Sequence, residues 1–145
     1  MNKSKYTEFN QKPAMTDTII KETRLENEQT IVISDQSRKI SADAWVVIMR
    51  ASMEIKITPE LFTHEPLTNV TYEQIRETLG EKVIYEYRLE RNFIMDHEKV
   101  AVLDTLKDTF MKNMGQYISN PRFAPKLVLK EYRNRSQSTG PSKKF

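Results

Sequence analysis

The stretch Ala44-Trp45-Val46-Val47-Ile48-Met49-Arg50-Ala51-Ser52-Met53-Glu54-Ile55-Lys56-Ile57 decides the fold. Trp45, Val47, Met49, Ala51, Met53, Ile55 and Ile57 share one parity, and Arg50, Ser52, Glu54 and Lys56 the other. Successive side chains point to opposite faces of a strand, so this period of two predicts a half-buried strand. Val46 and Ile48 break the polar parity at the start, which predicts cover on both faces there and water on one face further on. Trp45 is expected to be a buried anchor on a central strand. At ~3.3 Å per residue the run would span about 46 Å, so a bend or bulge is expected within it. Pro59 lacks a donor and ends it.

Downstream, Thr71-Tyr72-Glu73-Gln74 forms a capping box, and Tyr72, Ile75 and Leu79 follow at helical spacing. Gly80 then supplies a left-handed cap to a short helix. Val83, Tyr85, Tyr87, Leu89 and Phe93 share odd parity while Lys82, Glu86, Arg88, Glu90 and Asn92 share the even one, so a second long strand is predicted with Arg91 interrupting its inner face. A long helix starts at Asp96 or His97, with Leu103, Leu106, Phe110, Met111, Met114, Tyr117 and Ile118 as its apolar stripe. Asn120-Pro121 stops it, because a residue before proline is pushed out of the α region. Beyond, Phe123 and Leu127-Val128-Leu129 with Tyr132 suit a short helix better than an edge strand, since Pro125 fits a first turn.

Upstream, residues 18–26 are weakly strand-like and Asn27-Glu28 is a reversal, Asn being the residue that tolerates a left-handed conformation. Residues 29–34 form a β-branched strand. Asp35-Gln36-Ser37 follows with side chains that bond their own backbone in turns, so the chain is expected to reverse there. The order β-β-β-α-β-α predicts an α+β fold: an antiparallel sheet of about four strands, helices packed on one face, and a short C-terminal element. Residues 1–17 read as a mobile arm, 18–133 as a single α+β domain and 134–145 as a disordered basic tail.

The length of 145 residues suits one core. Without cysteine there is no disulfide framework, thiol nucleophile or zinc-thiolate site, and His64 and His97 are the only histidines. The three glycines, Gly80, Gly115 and Gly140, are too scattered for a phosphate loop. No apolar run reaches the ~18 residues of a membrane span, and the first residues do not resemble a secretory signal, so a soluble, cytoplasmic protein is expected, with no membrane partner. Residues 126–145 carry Lys126, Lys130, Arg133, Arg135, Lys143 and Lys144 against Glu131, a net +5 in a chain of net +3.

Candidate binding residues are Asp35, Ser37 and Arg38 in one loop, Arg88 and Arg91 on the second long strand, and Lys130, Arg133 and Arg135 near the C-terminus. The loop places acid, hydroxyl and base together, and an arginine on an apolar parity can anchor an anion. Asp96-His97-Glu98 gathers proton-transfer groups, but acids at a helix start satisfy loose amides, and capping is their expected role. No catalytic residue, metal site or cofactor is assigned. The favoured expectation is a non-enzymatic binding or regulatory domain acting through protein–protein contact or self-association as a homodimer. The first alternative is a weak, non-specific nucleic-acid or anionic-partner binder using the basic C-terminal residues. The second is an enzyme with a cleft around Asp96, His97 and Glu98.

Overall fold

The structure, a computed structural model, describes residues 18–138. Strands β1 (Thr18–Arg24), β2 (Thr30–Asp35), β3 (Arg38–Lys39), β4 (Ala44–Lys56) and β5 (Lys82–Met95) are joined by helices α1 (Tyr72–Leu79), α2 (Lys99–Ser119) and α3 (Phe123–Ser138). Turns of 3-10 helix cover Pro59–His64 and Asp96–Glu98. The fold is α+β with an antiparallel sheet, ordered β1-β2-β4-β3, and β5 also pairs with β4. The C-terminal element is helical and reaches Ser138, past Asn134, where the sequence suggests that order fades. The expected arm, 1–17, and the end of the expected tail, 139–145, lie outside the described residues.

The chain divides into two compact units. The first contains 18–23, Ile31–Ser52 and Glu86–Met114. Here the strand register corrects the expected reversal at Asp35-Gln36-Ser37. Val32 faces Ser52, Asp35 faces Met49, Arg38 faces Val46 and Lys39 faces Trp45, one unbroken antiparallel register. β2 and β3 are therefore one strand with an irregularity at Gln36 and Ser37. Gln36 N still donates to the Ile48 carbonyl at 2.9 Å, while Ile48 N donates to the Ser37 hydroxyl at 2.9 Å instead of to a strand carbonyl. The Asp35 carboxylate meanwhile accepts from Ser37 N at 2.9 Å. The turn chemistry of Asp35 and Ser37 is present but absorbed inside the ladder, because the Ser37 and Ile48 amides find side-chain acceptors. The chain turns instead before Ala44, whose carbonyl accepts from Ile40 N at 2.9 Å and Ser41 N at 3.3 Å.

Ile31, Ile33, Val46, Val47, Ile48, Met49 and Ala51 are buried in this unit, as are Leu103, Leu106 and Phe110 of α2. Both parities of β4 are thus covered at its start, and Glu54 and Lys56 are exposed at its end, as the pattern implies. The Tyr87 ring lies 5.3 Å from that of Phe110, which seats α2 on the odd face of β5. Two expectations need correction. Trp45, at the start of β4, is only half-buried, and its indole is flanked by the cations of Lys99, 4.6 Å from the ring centroid, and Lys39, at 5.6 Å. Phe93 is 77% exposed, because its φ of 56° puts a left-handed residue in β5 and breaks the alternation, so that Ile94 is the less exposed neighbour.

The second unit contains Arg24–Thr30, Met53–Tyr85 and 115–138. Met53, Ile55, Ile57, Phe62, Ile75, Val83, Ile118, Phe123 and Val128 are buried. The capping box of α1 is formed: Gln74 N donates to Thr71 Oγ1 at 3.1 Å and Thr71 N donates to Gln74 Oε1 at 2.9 Å. Gly80 closes the helix at φ 86°, ψ −145°, a mirror-extended conformation rather than the left-handed helical one. At the Asn27-Glu28 reversal the positive φ, 75°, belongs to Glu28. The Asn27 side chain has another task. Its Nδ2 donates to the Ile118 carbonyl at 2.8 Å, which the end of α2 leaves without a helical partner, and to the Asn120 carbonyl at 3.0 Å, just past the helix.

A basic groove at the start of the last helix

α2 ends at Ser119, and Asn120-Pro121 reverses the chain, with Arg122 N donating to the Asn120 side chain at 2.9 Å and Phe123 N to its carbonyl at 2.9 Å. α3 begins at once, its first helical bond running from Lys126 N to the Arg122 carbonyl at 3.1 Å. Arg122, Lys126, Lys130 and Arg133 are therefore spaced by four, four and three along one helical face. They border a cavity of about 410 Å³, and among the described residues lining it none is acidic. Tyr117, from the last turn of α2, and Phe123 close its other side. Their rings meet edge to face at 5.0 Å and 72°, and Phe123 is braced in turn by Tyr85 at 5.2 Å and 88°. Tyr117 is nevertheless 61% exposed.

One carboxylate is attached to this row from outside. Arg122 Nε donates to Glu65 Oε1 at 2.8 Å. That bond, against the opposing effect of burial, holds Glu65 below the usual carboxylate range, with the charges of Arg122 and Lys126 adding to it. The same bond raises Arg122 above its ordinary value. Arg122 is thus oriented, and it stands in one row with Lys126, Lys130 and Arg133 beside an aromatic ring. Such a surface attracts anions and offers a flat apolar face next to them.

Of the residues singled out in the sequence, Lys130 and Arg133 belong to this groove. Arg135, two residues further along α3, falls on another side of the helix. Asp35, Ser37 and Arg88 are brought together in the first unit, but by structural bonds: Lys99 Nζ lies 3.1 Å from Asp35 Oδ2, Ser37 serves the ladder, and Arg88 Nη1 donates to Gln36 Oε1 at 2.7 Å. Arg88 also lies 3.7 Å from Glu90 and 4.0 Å from Glu86, while Glu86 binds Arg50 at 2.6 Å, a cross-strand charge lattice on the even face of β5. Arg38 is exposed on β3, opposite Val46. Arg91 is exposed and donates to the Glu90 carbonyl at 2.9 Å, outside that cluster.

The Asp96 carboxylate accepts from the Trp45 indole N–H, and its backbone N donates to the Asp43 carbonyl at 3.0 Å. Glu98 accepts from Met95 N at 3.3 Å. These acids anchor the turn that starts α2, and His64 and His97 fall in different units. Among the described residues no three His, Asp or Glu side chains are grouped to hold a metal ion, and no helix is long and apolar enough to cross a membrane. Sequence reasoning missed Tyr117, Arg122 and Lys126 as a site. The signal was the four-residue spacing of the cations just after Pro121. No family model, curated protein or solved structure matches the chain.

Proposed function

We propose that the chain is a non-enzymatic binding domain that takes an anionic partner in the groove at the start of α3, in a cytoplasmic setting. The observation that carries this is the row Arg122, Lys126, Lys130 and Arg133 beside a cavity without a described acidic lining residue. Cations fixed along a helix release counterions when they meet a polyanion, so binding is salt-sensitive. Four phosphate contacts give a slope of log affinity against log salt of about −3. Protein–protein contact through apolar surface has a narrower basis, since exposed apolar side chains such as Ile19, Ile84, Phe93 and Val100 are of the kind a soluble domain ordinarily carries.

Calorimetric titration with inorganic polyphosphate at low and at physiological salt tests the reading. Lys130→Glu combined with Arg133→Glu is expected to abolish binding while leaving the melting temperature nearly unchanged, because both side chains are exposed. Binding that survives the double reversal would place the anion site elsewhere.

A further inference from the structure

We infer that the occupant of this groove is a single-stranded nucleic acid, its phosphates along Arg122, Lys126, Lys130 and Arg133 and one base on the Tyr117 ring. The inference rests on the anionic-partner reading and narrows it. At 1.5 Å rise per residue the four cations stand at intervals of about 6, 6 and 4.5 Å over about 16 Å, a line of charges and not a cluster around one point. A line fits a chain of regularly spaced anions better than an isolated phosphate or carboxylate.

The ring beside the line supplies the second feature. Tyr117 is largely exposed, yet it is oriented by Phe123, which Tyr85 holds in turn, so the platform is set before any partner arrives. Base stacking on such a ring is tolerant of sequence because every base has a π-face. A duplex keeps its bases paired and stacked on one another, and an acidic peptide brings charge without a regular planar group. The cavity of about 410 Å³ lies in the size range that encloses a small organic group.

The test uses fluorescence anisotropy with the full chain and four labelled probes of equal length: oligo(dT), an abasic deoxyribose-phosphate oligomer, a duplex and polyglutamate. Oligo(dT) is expected to bind about tenfold more tightly than the abasic oligomer, the scale of one stacked base. Tyr117→Ala should bring oligo(dT) down to the abasic level and leave the abasic affinity as it was, while Tyr117→Phe keeps the difference. Equal binding of oligo(dT) and the abasic oligomer, unaffected by Tyr117→Ala, overturns the nucleic-acid assignment and leaves the anionic groove standing. Tighter binding of the duplex, or of polyglutamate, overturns it likewise. Failure of all probes and of polyphosphate at low salt removes both readings.

Discussion

Lys99 Nζ sits 3.1 Å from Asp35 Oδ2, joining the first turn of α2 to the end of β2 in a partly covered ion pair. Burial by itself would raise the Asp35 pKa, but the hydrogen bonds from Ser37 and the charge and bond of Lys99 together outweigh it and leave the carboxyl below its ordinary value. A carboxyl depressed on folding contributes stability that is present above the unfolded pKa and lost as pH falls through the folded one. Stability should therefore decline below about pH 4, with the exposed Glu54 and Glu65 adding to the same acid limb. Asp35→Asn is expected to lower the urea midpoint at neutral pH and to flatten that limb relative to wild type. An acid limb of unchanged steepness in the variant would mean that the pair contributes nothing.

Ser37→Ala removes the acceptor of the Ile48 amide within the central strand. An unsatisfied buried N–H costs about 1–3 kcal/mol, so the variant should lose stability on that scale, and Ser37→Thr, which keeps the hydroxyl, much less. Amide exchange at Ile48 gives the local readout. Faster exchange there in Ser37→Ala but not in Ser37→Thr is the expected pattern.

Asn27 donates to the Ile118 carbonyl, which the end of α2 leaves without a helical partner, and to the Asn120 carbonyl just beyond, so Asn27→Ala should cost about 1 kcal/mol. Asn27→Asp should be worse although it is closer in shape, because a carboxylate would face the Ile118 and Asn120 carbonyls at the negative end of the helix dipole. Chemical denaturation of both variants checks the order. Equal stabilities would show that the side chain does not cap the helix.

Phe93 holds a positive φ with its ring mostly in water, so replacing it loses little packing. Phe93→Gly should be neutral or stabilising by up to about 1 kcal/mol, and Phe93→Val, β-branched and ill-suited to positive φ, should destabilise. A thermal melt in which valine matches glycine would contradict the backbone assignment.

The sheet and helices are legible in the sequence because each leaves a local trace: strict parity in residues 49–57 and 85–90, a capping box at Thr71, a proline after Asn120. What is not legible is which remote partner a polar side chain finds. Asn27 looks like a turn residue from its neighbours, and nothing near it announces carbonyls 91 and 93 residues away. Asp35 and Ser37 likewise look like the corner of a hairpin, and only the register with β4 shows the strand continuing past them. Phe93 obeys the alternation by type and violates it by backbone angle, which composition does not encode. In the groove, the cation spacing is present in the sequence, but the Tyr117 ring joins it only through the geometry of the break at Asn120.

The unbroken register from Val32 to Lys39 also sets an order of assembly. The first rung, Lys39 with Trp45, closes a loop of five residues, and each rung outward to Val32 with Ser52 lengthens the path by only two. Such a ribbon can zip from its turn at little entropic cost per step, whereas β5 must first cross the 25 residues that separate it from β4. The Ser37 hydroxyl lies on the zipper's route. A hydrogen bond that looks like a repair in the finished sheet is thus a step in building it, and substitutions at Ser37 should slow folding more than they speed unfolding.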